Sequence, residues 1–121
     1  MTSDANNLRY PFDAHPKAGT TIELAPGVRW LTMPMPGSLG HINLYLLEDK
    51  EGWYIVDTGM ATEETAELWQ DIFRTELENK PVVGVICTHM HPDHTGQAES
   101  LTNQFRCPFF MTHGELSLIH I

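Results

Sequence analysis

Three histidines and an aspartate fall between residues 89 and 94, in the stretch Thr88-His89-Met90-His91-Pro92-Asp93-His94-Thr95-Gly96. Neutral imidazole and carboxylate are the donors that zinc and related divalent ions take. His89 and His91 are two positions apart, and in extended backbone such residues share a face, so they can hold one ion together. Asp93 and His94 fall where the chain turns toward a helix and can point to a second ion beside the first. Pro92 stiffens the turn, and Gly96 permits a close approach of backbone. A solvent-facing polar loop is the plain alternative. Three histidines with an aspartate directly behind an apolar run argue against it, because burying them without a cation would cost roughly 1–3 kcal/mol per unpaired group.

That cluster needs a frame. Val82-Val-Gly-Val-Ile-Cys87 is a continuous apolar run, the pattern of a strand covered on both faces, and the cluster emerges at its C-terminal end. Ahead of it, residues 61–80 are expected to form a helix. Thr62 can cap it, Glu63 and Glu64 suit its first turn, Leu68, Trp69, Ile72, Phe73 and Leu77 make one buried stripe, and Pro81 stops it. Earlier still, 20–24 and 28–33 read as short strands around the Pro26-Gly27 turn, and 41–57 as a β-hairpin with a polar turn at 48–52. Behind the cluster, 95–103 reads as a second helix and 108–111 as a last short strand. Antiparallel strands followed by αβ alternation predict an α/β fold with a mixed sheet. Residues 1–19 read as a polar N-terminal arm and 20–121 as one domain.

The chain has 121 residues, seven Lys+Arg against sixteen Asp+Glu and a formal net charge of −9. An apolar fraction of 41% excludes a disordered chain. The acid excess argues against a nucleic-acid partner, since phosphate contacts need clustered Lys and Arg. No apolar run is long enough to span a membrane, and the first thirty residues lack a secretory pattern, so no membrane partner is expected and the cytoplasm is the expected location. Cys87 reads as a small buried hydrophobe and Cys107 as a second reduced thiol; a bridge between them is the less favoured alternative.

At His89-Met-His91-Pro-Asp93-His94 the sequence resembles the metallo-β-lactamase superfamily, whose motif is H-x-H-x-D-H behind a strand. Asn43-Leu-Tyr-Leu-Leu47 is similar to that family's early strand, and Val56-Asp57-Thr58-Gly59 to its strand-end aspartate turn. The resemblance covers residues 20–115 and implies the first half of a four-layer αββα sandwich. It implies one or two Zn²⁺ ions (Fe or Mn as alternatives), with His89 and His91 at the first metal, Asp93 and His94 at the second, Asp93 also acting in catalysis, and Asp57 supporting the ligands from behind. Relatives that hold two redox-active irons carry glutamate at the position of His91, which points here to hydrolysis.

The implied activity is attack of metal-activated water, near neutral in pKa, on an ester, thioester or amide of a small-molecule substrate. Thioesters, as in the glyoxalase II-like branch, are preferred on fold analogy alone. A phosphodiesterase or nuclease, an iron-dependent sulfur oxygenase and a catalytically incomplete metal-binding fragment are the alternatives. The family's remaining ligands come later in its sequence, and no aspartate follows Asp93 here, so the chain is expected to be a truncated piece lacking a C-terminal half-domain, with the closing LSLIHI unassigned. His15 is expected to be exposed and His41 half-buried on a strand. His113 and His120 are assigned no role, and Trp30, Met33 and Met35 are expected to pack rather than line a pocket.

Overall fold

The computed structural model describes residues 15–35 and 40–111. The expectations for residues 1–14, for His113 and His120 and for the LSLIHI end lie outside the described residues. Six strands form one sheet in chain order: β1 (Ile22–Ala25), β2 (Val28–Pro34), β3 (His41–Glu48), β4 (Trp53–Val56), β5 (Val82–Ile86) and β6 (Phe109–Phe110). β1 to β4 pair antiparallel, whereas β4–β5 and β5–β6 are parallel, so the sheet is mixed. The β3–β4 hairpin sets Tyr45 opposite Val56 and Glu48 opposite Trp53.

Helix α1 (Glu63–Thr75) returns the chain so that β5 can run parallel to β4. Its N-cap is Thr62, whose hydroxyl accepts from the Thr65 amide at 3.1 Å, and Glu63 and Glu64 occupy the first turn. The helix ends earlier than the apolar spacing predicts. Glu78 and Asn79 take left-handed φ values of 56° and 65°, and the Leu77 carbonyl turns aside to accept from the Trp53 indole at 2.8 Å. Leu77 is still buried, but from a turn. The helix expected over 95–103 is α3 (Ala98–Phe105), starting three residues later, and a short helix, α2 (Pro92–Thr95), precedes it.

Alternation along the strands sends one face of the sheet to the helices. Leu31, Met33, Leu44, Leu46, Trp53, Ile55 and Val85 meet Trp69 and Ile72 of α1 and Leu101 of α3, each 1% exposed or less. Phe73 and Phe105 pack edge to face at 4.8 Å, joining α1 to α3 over that face. Met33 belongs to this core, and the Trp30 indole donates to Asn43 Oδ1 at 2.8 Å. The described part of the N-terminal arm is laid on the sheet: Pro16 is buried, and its carbonyl accepts from the Thr32 hydroxyl at 3.3 Å. Cys87 is buried, Cys107 half-buried, and both are free thiols. Among the described residues, no helix is long and apolar enough to cross a membrane.

Because β4 and β5 run parallel as neighbours, their C-terminal ends lie side by side. Residues 57–62 and 87–97 therefore leave the sheet together, and these two loops carry the chemistry-bearing side chains.

Candidate metal centre

The first loop opens on Asp57, which is 6% exposed and holds a left-handed φ of 68°. Aspartate tolerates this conformation better than most residues, and it aims the carboxylate sideways at the neighbouring strand end. There the Thr88 amide donates to Oδ1 at 2.8 Å and the Thr88 hydroxyl to Oδ2 at 2.7 Å. The Asp57 amide itself donates to the Ile86 carbonyl at 2.7 Å, continuing the parallel ladder into the loop.

The second loop is fastened to the first through the His94 carbonyl. That oxygen accepts from the Thr58 amide and the Thr58 hydroxyl, each at 2.8 Å, and from the Cys87 thiol at 3.3 Å. The fully buried Thr58 hydroxyl in turn accepts from the Gln97 amide at 3.0 Å, and the Gln97 side chain donates to the carbonyls of Met60 and Thr62. The Thr58 carbonyl accepts from the Trp69 indole at 2.8 Å, tying the pair of loops to α1. These bonds explain the break between α2 and α3: the Gln97 amide goes to Thr58, and Gly96 presses against residues 59–61, where any Cβ would stand 2.4–2.5 Å from backbone atoms. Desolvation in this packing pushes the Cys87 thiol up to about 12, with the Asp57 charge adding to it.

His91 caps α2 with extended backbone, and Pro92 takes the first helical position. The three imidazoles then gather around the loop. Ring centres are 6.0 Å apart for His89 and His91, with planes only 13° from parallel, 4.8 Å for His89 and His94, and 6.5 Å for His91 and His94. A zinc ion bound at an imidazole nitrogen lies roughly 3.2 Å from the ring centre, so rings sharing one ion have centres at most about 6.4 Å apart. His89 lies within that limit of both His94 and His91, nearer to His94; His91 with His94 falls just beyond it. The Nε2 of His94 is instead 3.6 Å from Asp93 Oδ2. Among the described residues, no three His, Cys, Asp or Glu side chains are gathered closely enough to hold one ion.

The His94 Nδ1 lies 3.0 Å from Asp57 Oδ2, is buried and makes no hydrogen bond. A buried nitrogen without a hydrogen bond, beside two further imidazoles and a carboxylate, is of the donor chemistry that suits a divalent cation. His41 departs from expectation. It is exposed rather than half-buried, because it opens β3 at the sheet's end, and its ring lies 4.1 Å from that of the exposed His15.

Thr58, Thr88, Trp69 and Gln97 are not marked out by residue type, since each alone reads as an ordinary polar or core residue. Only the position of Thr88, directly ahead of the first histidine, draws attention to it. A cavity of about 460 Å³ beside the loop is likewise new. Met90, Thr95, Ala98, Glu99, Thr102 and Phe109 line it, and nothing in the residue order predicts that they form a pocket.

The metallo-beta-lactamase superfamily model matches residues 37–119, a span that includes both loops. The chain belongs to this superfamily. A beta-lactamase domain protein from Burkholderia ambifaria has a crystal structure 47% identical to this chain, with a TM-score of 0.86 over 93% of this chain and 36% of that one. A metallo-beta-lactamase family protein from Thermus thermophilus is 30% identical, with a TM-score of 0.58 over 67% of this chain and 27% of that one. Among curated proteins, a linear primary-alkylsulfatase and an (R)-specific secondary-alkylsulfatase, both from Pseudomonas sp, are 36% and 32% identical over 62 residues. That match is 51% of this chain and 9% of each sulfatase, so the chain spans a small part of the curated relatives it resembles. The superfamily fold generally binds metal ions, usually zinc.

Proposed function

We propose that this chain supplies the ligand-bearing loops of a metal-dependent hydrolase acting on an ester-type bond of a small-molecule substrate. The observation that carries the reading is the meeting of His89, His91, Asp93 and His94 at the shared C-terminal edge of β4 and β5, with the His89 and His91 rings 6.0 Å apart and nearly parallel. His89 and His91 would hold one divalent cation, zinc by donor type, and Asp93 with His94 a second. Bound there, the cation would polarise the scissile group and acidify a water molecule. Asp93, half-buried beside His94, would accept a hydrogen bond from that water and orient it. Asp57 holds Thr88 with two hydrogen bonds and lies against His94, so it braces both ends of the donor loop.

Two substrate classes are kept. Acyl esters and thioesters follow from the fold analogy alone. Alkyl sulfate esters are favoured by the two Pseudomonas relatives, and the cavity beside Met90, with Ala98 and Phe109 in its wall, could take an alkyl portion in either case. The acid excess disfavours polynucleotides. The free thiols Cys87 and Cys107 suit the reducing cytoplasm, the proposed location.

Zinc titration of the purified chain, with metal content measured directly, tests the reading. Zinc should bind, and binding should fall at least about tenfold in the His89→Ala/His91→Ala double variant. Equal zinc uptake by that variant would overturn the assignment. Hydrolysis of an acyl ester, a thioester, an alkyl sulfate and a phosphodiester, each with and without zinc, ranks the substrate classes.

A further inference from the structure

We propose that Thr88 is a positioning residue: its hydroxyl fixes His89 in the Nδ1–H tautomer and leaves the Nε2 lone pair bare as that residue's donor atom. The value of that bare nitrogen to a cation rests on the metal reading above; the proton placement does not.

Counting protons decides the tautomer. The Thr88 oxygen lies 2.7 Å from Asp57 Oδ2 and 2.9 Å from His89 Nδ1. A hydroxyl has one proton to give and lone pairs with which to accept. Asp57, as a carboxylate, can only accept, and it is buried, with the Thr88 amide already on its other oxygen at 2.8 Å. The hydroxyl proton therefore has two claimants. Given to Asp57, it makes a charge-assisted bond of about twice the strength of a neutral one. Given to His89, it would leave two oxygen lone pairs facing each other at 2.7 Å and a buried carboxylate oxygen short of a donor. The carboxylate wins. Toward His89 the Thr88 oxygen is then an acceptor, so Nδ1 must carry the hydrogen and Nε2 must be bare.

The chain from backbone to donor is thus explicit. The left-handed φ of 68° at Asp57 aims its carboxylate, the carboxylate orients the Thr88 hydroxyl, and the hydroxyl selects the tautomer of His89. Partners behind a ligand that set its tautomer typically change metal affinity roughly 10–100-fold when removed.

Tautomers are read directly from two-bond ¹H–¹⁵N correlations of the imidazole rings in the metal-free full chain, at a pH where His89 is neutral. Wild type and Thr88→Ser, which keeps the hydroxyl, should both show the Nδ1–H pattern for His89. Thr88→Val should lose it and shift toward the Nε2–H form. In zinc titrations, Thr88→Val should bind roughly 10–100-fold more weakly and Thr88→Ser within about threefold of wild type. An Nε2–H pattern in the wild type overturns the proposal, as does an Nδ1–H pattern that survives in Thr88→Val. Loss of the Nδ1–H pattern in Thr88→Ser overturns it too. If Thr88→Val does not fold, the wild-type and Thr88→Ser spectra decide alone. An Nδ1–H pattern present in the wild type and lost in Thr88→Val, in a chain that takes up no zinc, upholds the role of Thr88 and overturns the metal reading, so the two failures are distinct.

Discussion

Gly96→Ala sets two opposing effects against each other, and the structure decides the sign. Gly96 has φ −57° and ψ −34°, an ordinary helical conformation. On backbone grounds alone, alanine there should stabilise by about 0.4–1 kcal/mol, by restricting the unfolded chain. The new Cβ, however, would lie 2.4 Å from the Ala61 nitrogen and 2.5 Å from both the Gly59 oxygen and the Met60 carbonyl carbon, where ordinary contact begins near 3.4 Å. All three are backbone atoms, so no rotamer change relieves the clash. The loops at 57–62 and 87–97 must part by about 1 Å, in keeping with the roughly 1–3 kcal/mol typical of overpacking. Separation lengthens the bonds from the Thr58 amide to the His94 carbonyl and from the Gln97 amide to the Thr58 hydroxyl, worth about 0.5–1.5 kcal/mol each. The net expectation is a loss of roughly 2 kcal/mol, about 8 °C in melting temperature for a chain of this size. Urea and thermal unfolding followed by circular dichroism measure it, and zinc affinity should fall alongside. A variant as stable as wild type, or more so, would refute the claim that the two loops are locked in contact.

Other perturbations probe the same frame. Asp57→Asn should keep the fold, since asparagine also accepts a left-handed φ, but it replaces one acceptor of Thr88 with a donor; zinc affinity measured by competition should drop roughly 10–100-fold. Trp69→Phe leaves the buried Thr58 carbonyl without its indole donor and should cost about 1–3 kcal/mol in urea unfolding, with the far-ultraviolet spectrum unchanged. Burial raises Cys87 from its ordinary 9.0 to about 12, so between these values the unfolded chain has released a proton that the folded chain keeps. Stability should therefore fall as pH rises from about 9 to about 12, and Cys87→Ala should flatten that slope in unfolding measured across the range. Alkylation at about pH 8 should label the half-buried Cys107 before Cys87.

Much of this was legible in residue order because it depends on local periodicity. The alternation at 41–47 gives β3, the apolar run at 82–86 gives β5, and Thr62 with Glu63 and Glu64 marks the true start of α1. The helix end was not legible in the apolar spacing, because Leu77 stays buried from a turn: Glu78 and Asn79 go left-handed, and the Leu77 carbonyl accepts from the Trp53 indole. The break between α2 and α3 depends on a tertiary partner: Thr58 claims the Gln97 amide. At the site, the residues proposed to hold a cation stood out by their spacing. The brace behind it (Thr58, Thr88, Gln97 and Trp69) was hidden, because threonine, glutamine and tryptophan acquire these duties only through hydrogen bonds made at a distance.

The indole of Trp69 ends one residue from Asp57, hydrogen-bonded to the Thr58 carbonyl and fully shielded from water. An indole's emission colour follows the electric field across its ring, and this ring sits under the loops where a doubly charged ion would arrive. The molecule thus contains its own optical gauge. Loading should be visible as a change in intrinsic fluorescence, without any attached dye, and that change should vanish when Trp69 alone is replaced by phenylalanine.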